Sequence, residues 1–365
     1  MALEELLLLA AGLLFLIAGA ELLVRGASRL ASIAGISPLV IGLTVVAYGT
    51  SSPELAVSLK SAFAGQADIA IGNVVGSNIF NVLLVLGLCA SILPLTVSHQ
   101  LIWLDVPIMI GASVLAFALA LDGVIGRYDG VLLFTGAFLY TVFALRQGRN
   151  VGSAVAIDDF SREYSDKFKR RPSRWPLQAG FVLAGLVMLV YGARWLVYGA
   201  VAAAEALGVS ELVIGLTIVA AGTSMPEVVT SLIASLRGER DIAVGNVIGS
   251  CIFNLLSVLG LCSLLAPDGI RIAPALLTFD MPVMLAVSLA CAPIFFTGHT
   301  IARWEGALFL LYYAAYTAYV VLNAQAHDAL PAFSAIMLQF VIPLTVLTLA
   351  IGYVRQGQRR ELQRK

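Results

Sequence analysis

The sequence predicts an all-α polytopic membrane protein: two inverted-topology repeats of five transmembrane helices plus one extra C-terminal helix. Three observations lead there. Apolar runs of about 20 residues, each long enough to cross a bilayer, recur along the chain. The stretch Val40–Leu88 returns as Val213–Leu261, 173 residues later and without a gap, with 31 of 49 aligned positions identical. Each copy belongs to a unit with an odd number of spans, so the second unit enters the membrane from the opposite face.

Composition agrees. Of the 365 residues, 60% are hydrophobic and 12% charged, against about 25% charged in soluble domains. A β-barrel would read as short alternating segments instead. The formal net charge is zero, and no nucleic-acid partner is expected; membrane lipid is. Cys89, Cys251, Cys262 and Cys291 lie in apolar runs without metal-ligand spacing and read as small core residues. Three scattered histidines offer no zinc-protease motif. No enzyme and no resident cofactor are expected.

Eleven candidate spans follow in order: 4–24, 38–62, 69–93, 101–121, 129–147, 176–198, 211–236, 242–265, 275–297, 303–322 and 332–354. The first is apolar for too long to be a signal-peptide core. Gln147–Arg174 is polar and reads as a surface loop. The chain thus divides into a first repeat (1–147), a loop (148–175), a second repeat (176–322) and an extra span with a basic tail (323–365). Beyond the 49-residue core, Gly19-Ala20 matches Gly192-Ala193, LDVPIM (104–109) resembles FDMPVM (279–284), and RYDGVLLF (127–134) resembles RWEGALFL (303–310). Eighteen of the 22 Lys and Arg fall on the side of the odd-to-even loops and the C-terminal tail. The positive-inside rule makes that side cytoplasmic, with the N-terminus outside, in a plasma membrane.

Each copy of the repeat places one acid in an apolar run, Glu54 in AYGTSSPEL and Glu227 in AAGTSMPEV. Buried ionisable groups in membranes default to function. Pro53 lacks an N–H and clashes with the carbonyl of Gly49, so backbone carbonyls around Ala47–Thr50 are expected to leave the helical ladder. Helical spacing puts Thr50, Ser51 and Glu54 on one face; Ala220, Thr223, Ser224 and Glu227 repeat the pattern. In the next span Asn73, Ser77 and Asn81 form a polar stripe, repeated as Asn246, Ser250 and Asn254, while Gly72/Gly76 and Gly245/Gly249 permit close helix approach. Cys251 replaces Asn78 off the stripe. These donors are all hard oxygens, suited to Ca²⁺ or Na⁺ and not to soft transition metals. Two carboxylates neutralise one Ca²⁺ or two Na⁺. A site that holds either but not both is a physical basis for exchange.

Other acids read as structural. Glu21 precedes Arg25 by four residues and is expected to pair or snorkel; Asp105 and Asp280 sit at span starts as charge–dipole residues; Asp68 and Asp241 read as helix caps. Asp158, Asp159, Glu163 and Asp166 lack EF-hand spacing and read as solvated.

With VAYGTSSPEL and GNVVGSNIFN, and VAAGTSMPEV and GNVIGSCIFN, the chain resembles the cation/calcium antiporter superfamily, most closely its prokaryotic sodium/calcium exchanger branch. The resemblance covers about residues 1–322. It implies ten helices in two inverted halves, with ion sites between spans two, three, seven and eight. It implies that Glu54 and Glu227 bind Ca²⁺ with carbonyls of Thr50 and Thr223. Ser51, Ser77, Ser224 and Ser250, with carbonyls of Ala47 and Ala220, would hold Na⁺; Asn81 and Asn254 would line the centre. Spans one and six would slide across the core. Many members carry aspartate at the Asn81 or Asn254 position; this chain has Asn at both. The expectation is therefore a secondary antiporter exchanging Ca²⁺ for Na⁺ by alternating access, with a proton-coupled (or K⁺-using) cation antiporter as the alternative and a passive channel as the weaker one.

Overall fold

The structure is a computed structural model describing residues 3–152, 175–207, 214, 217–218 and 220–346. Its helices are α1 (Leu3–Ala34), α2 (Pro38–Thr50), α3 (Ser52–Phe63), α4 (Ala67–Ile92), α5 (Leu101–Ala120), α6 (Arg127–Gly152), α7 (Trp175–Ala206), α8 (Met225–Leu236), α9 (Arg240–Leu265), α10 (Leu276–Phe296), α11 (Arg303–Ala324) and α12 (Leu330–Val346). Among the described residues eight helices are long and apolar enough to cross a membrane, and α2–α3 form a ninth span bent by 45°. α8 and α12 are shorter, and the residues that would complete the seventh and eleventh expected spans lie partly outside the description. The protein is an all-α membrane protein with inverted repeats.

The inversion is visible in contacts between repeat-related residues. Asn78 and Cys251, 173 apart, each donate to the other's backbone carbonyl, at 3.4 and 3.9 Å. Ser113 and Ser288, equivalent in α5 and α10, meet hydroxyl to hydroxyl at 3.1 Å. Residues that touch their own repeat-mates lie on the pseudo-two-fold axis. Two short antiparallel ladders obey the same symmetry. β1 (Leu95–Thr96) pairs with β4 (Thr300–Ile301), and β2 (Val124–Ile125) with β3 (Ile270–Arg271). The 3–4 and 9–10 connections therefore share one face, and the 4–5 and 8–9 connections share the other.

Packing divides the molecule into two bodies. A large apolar core joins α4, α5, α9 and α10, with all four cysteines buried as small core residues. A smaller cluster joins α1 and α7 with Ala234, Ile242 and Ala243. α1 and α7 run antiparallel with backbones nearly touching: a Cβ on Gly185 would lie 2.6 Å from the Gly19 carbonyl oxygen. A Cβ on Gly12 would lie 2.8 Å from the Gly192 oxygen. Only glycine allows this approach, which explains its recurrence every seven residues in both helices.

Two expectations are corrected. The span ending at 147 continues as helix to Gly152, because its last turns stay helical through Gln147 and Arg149; the expected loop at 153–174, with its four acids, and the basic tail lie outside the described residues. Asp68 and Asp241 are not caps: Gln66 and Glu239 occupy the N-cap positions, which leaves both aspartates in the first turn, where a carboxylate still favours the helix dipole. Asp105 and Asp280 stand at the N-cap positions of regular α-helix, after a π-helical turn, without a side-chain cap bond. Instead they accept hydrogen bonds from Tyr140 (3.1 Å) and Tyr316 (2.8 Å) on the following helices. Glu21 pairs with Arg25 as expected and also with Arg237.

Candidate cation-binding site

The site is built where two helices break. Pro53 and Pro226 sit at the second position of α3 and α8, so neither can donate to the preceding turn. The chain relaxes at the residue before each helix. Ser51 adopts φ −84, ψ 8 and Ser224 φ −91, ψ 7, near the bridge region, which seldom continues a helix. The break alters the expected geometry. Ser51 and Glu54 do not pair along one helical face; Ser51 Oγ donates across the repeat boundary to Glu227 Oε1 at 2.8 Å, and Ser224 Oγ donates to Glu54 Oε1 at 2.8 Å. Each acid is held by the other repeat's serine, with the same distance both ways.

The break does not free the Ala47 carbonyl. It accepts from the Ser51 N–H at 3.0 Å and from the hydroxyls of Thr50 (3.3 Å) and Ser250 (3.5 Å). Ala220 opens the short helical turn Ala220–Gly222 at the matching point of the second repeat. The threonines clamp neighbouring helices. Thr50 donates to Asn246 Oδ1 at 3.1 Å and Thr223 to Asn73 Oδ1 at 3.3 Å. The asparagine amides then donate inward to their own repeat: Asn73 to Ser58 (2.9 Å) and the Glu54 carbonyl (3.1 Å), Asn246 to Ser231 (3.0 Å). Ser58 and Ser231 were not singled out from the sequence. The signal was present: both lie four residues after the acid and match at the 173-residue offset.

Ser77 accepts from Ser224 at 3.2 Å, and Ser250 donates to Glu227 Oε1 at 3.5 Å. Asn81 and Asn254 complete the stripes and are fully buried. Each opens a π-helical turn, Asn81–Leu86 in α4 and Asn254–Val258 in α9. Such turns are frequent at functional sites, because one extra residue re-aims the side chains around it.

Two fully buried carboxylates meet here, and among the described residues neither has a basic partner. Burying an unpaired charge costs several kcal/mol after relaxation. The rest of the donor set sharpens the point. Among the described residues, Glu54 Oε2, Glu227 Oε2, Asn254 Oδ1 and both amide atoms of Asn81 are buried without a hydrogen-bond partner. Buried polar atoms are normally satisfied. Unsatisfied oxygens gathered about two carboxylates fit a hard cation that accepts six or more oxygens in flexible geometry. Among the described residues no group of three or more His, Cys, Asp or Glu comes together, so nothing there resembles a transition-metal site.

Comparison with known proteins bears on the same residues. Residues 5–146 and 177–322 match the family model described as "Sodium/calcium exchanger protein". The chain is 34% identical to sodium/calcium exchanger MaX1 of Methanosarcina acetivorans over 343 residues, 85% of this chain and 96% of that protein. It is 39% identical to inner membrane protein YrbG of Escherichia coli over 287 residues, 78% and 86% of the two. Among solved structures, the sodium-calcium exchanger NCX_Mj, soaked with zero Na⁺ and Ca²⁺, superposes with a TM-score of 0.75 at 32% identity, covering 88% of this chain and all of that one.

Proposed function

The chain belongs to the sodium/calcium exchanger family, and from that premise we propose that it exchanges Ca²⁺ for Na⁺ across the plasma membrane by alternating access. One observation carries the reading: the oxygens of Glu54, Glu227, Asn81 and Asn254 that have no partner among the described residues are buried on the helices at and after the two symmetry-related helix breaks. Two carboxylates balance one Ca²⁺ or two Na⁺, so the two ions compete for one charge centre. Loaded, the centre is neutral and free to switch between faces. Empty, its two unpaired charges resist any step that crosses an apolar layer.

In this reading Glu54 and Glu227 are the Ca²⁺ carboxylates, with the Thr50 and Thr223 carbonyls. Ser51, Ser77, Ser224 and Ser250 hold Na⁺, with the Ala220 carbonyl and with the Ala47 carbonyl once the Thr50 and Ser250 hydroxyls turn from it, and Asn81 and Asn254 line the centre. The serines suit both states, because a hydroxyl that donates to a carboxylate still has lone pairs for a cation. The basic 3–4 and 9–10 face is cytoplasmic, the N-terminus outside and the C-terminus inside.

The test is Ca²⁺ uptake into proteoliposomes with Na⁺, H⁺ and K⁺ gradients set independently. Uptake driven by an outward Na⁺ gradient at constant pH is expected. Uptake that follows pH and ignores Na⁺ would replace this reading with a proton-coupled antiporter. Single-channel currents without an obligate counter-ion would replace it with a channel.

A further inference from the structure

We propose that Asn78 is a positioning residue: it fixes the amide of Asn254 so that its carbonyl oxygen, not its NH₂, is presented to the cation, and thereby makes the two halves of the site unequal. The proposal rests on the exchange reading above.

The observation starts from a break in symmetry. The blocks GNVVGSNIFN and GNVIGSCIFN differ at two positions, and only Asn78/Cys251 changes chemistry. Both residues are buried on the pseudo-two-fold axis, where each donates to the other's backbone carbonyl. Asn78 has one group left over. Its Oδ1 accepts from Asn254 Nδ2 at 3.3 Å. An amide is planar, with oxygen and nitrogen on opposite arms, so committing the NH₂ to Asn78 turns Oδ1 away from the axis residue. That Oδ1 is buried and has no partner among the described residues. Asn254 stands one helical turn from Ser250, which donates to Glu227, so the oxygen lies on the polar stripe that meets the acid.

The mirror position lacks this device. There Asn81 would need an acceptor from Cys251, and a thiol is a weak one. Asn81 accordingly meets only that thiol, and among the described residues neither of its amide atoms makes a hydrogen bond of normal geometry. One asparagine is pre-oriented as an oxygen ligand; the other has only a weak thiol to hold it. A preset ligand raises affinity by removing the ordering step. An amide turned the wrong way would point its positive end at the cation.

The experiment uses the full-length chain in proteoliposomes and measures the KM and maximal rate of Ca²⁺ uptake. Asn78→Cys puts the same residue on both sides of the axis and removes the acceptor. The KM for Ca²⁺ should rise about threefold to tenfold, the scale of one misoriented ligand, with the maximal rate within about twofold. The second arm uses Asn254→Asp, whose two carboxylate oxygens need no orienting. In that background Asn78→Cys should leave the KM where Asn254→Asp alone puts it. An unchanged KM in the single Asn78→Cys variant overturns the proposal. So does a penalty that persists undiminished in the Asn254→Asp background, which would mark Asn78 as packing only. Glu54→Gln is measured alongside: if it transports Ca²⁺ normally, the exchange reading itself has failed; if it is dead while Asn78→Cys is normal, only the positioning role has.

Discussion

The two repeats are alike in the crossed bonds that hold their acids, and unlike at the Asn78/Cys251 pair and at their edges. At the centre the Ser51–Glu227 and Ser224–Glu54 bonds have equal length, and the clamps Thr50–Asn246 and Thr223–Asn73 differ by 0.2 Å. At the corner where α1 meets the 7–8 connection the likeness ends. Glu21 pairs with Arg25 and Arg237, and Ser28 donates to Glu239 at 2.7 Å. The repeat-related positions are Arg194, Tyr198, Ala64, Val201 and Gln66, which cannot form that ion pair. The crossed serine–glutamate bonds keep the symmetry, since one ion must be met from both membrane faces. Symmetry is absent where the two faces can have different properties.

The largest expected effect tests the symmetric part. Glu54→Gln and Glu227→Gln should each reduce Ca²⁺ transport by at least about a hundredfold, since each removes half the charge that balances a buried divalent ion. Because each acid is held by the other repeat's serine at the same distance, both losses should reach that size. Near-normal exchange in either variant breaks the comparison at its centre.

The serines come next. Ser51→Ala and Ser224→Ala each remove a hydroxyl that donates to a buried carboxylate at 2.8 Å. Hydrogen bonds to charged groups contribute about 1.5–3 kcal/mol, so apparent Ca²⁺ affinity should fall about tenfold or more in each. A loss at Ser51 without one at Ser224, read from Ca²⁺-dependence curves, would show that the crossed bonds are not equivalent in function. Asn254→Asp should act more weakly and differently. It adds charge at a buried position where only oxygen was presented, so it should shift the Na⁺ concentration that half-inhibits Ca²⁺ uptake by a few-fold, with thermal stability retained. An unchanged Na⁺ dependence counts against a central position for that side chain.

The sequence made the symmetric part legible and hid the crossing. An acid repeated inside apolar spans stands out against lipid, and the offset of 173 residues ties every partner to it. The odd span count per copy gave the inversion that the β1–β4 and β2–β3 ladders bear out. Helical spacing, however, supplied only same-helix neighbours for Glu54. The bond from Ser51 goes to the other repeat because the helix breaks at that serine, and a local pattern carries no information about which distant residue fills the gap. The π-helical turns at Asn81 and Asn254 were hidden for a related reason: an inserted residue leaves hydrophobic periodicity nearly intact within a uniformly apolar run. Asn78 was passed over because it lies off the stripe, and an axis residue is recognised only once both copies are in place.

The smallest effect lies at the asymmetric corner, and its size follows from exposure. The side chains of Glu21, Arg25 and Arg237 are 26%, 52% and 36% exposed, so solvent and salt screen the pairs. Exposed ion pairs contribute about 0–1 kcal/mol each. Arg237→Ala should therefore lower the melting temperature of the detergent-solubilised protein only slightly at low salt, and the difference from the parent should vanish at high salt. Ala64→Ser, at the mirror position, should change neither value. If Arg237→Ala instead lowers stability by several degrees at every salt concentration, the corner is held by packing of the arginine stem against α1. The asymmetry between the repeats would then be one of shape and not of charge.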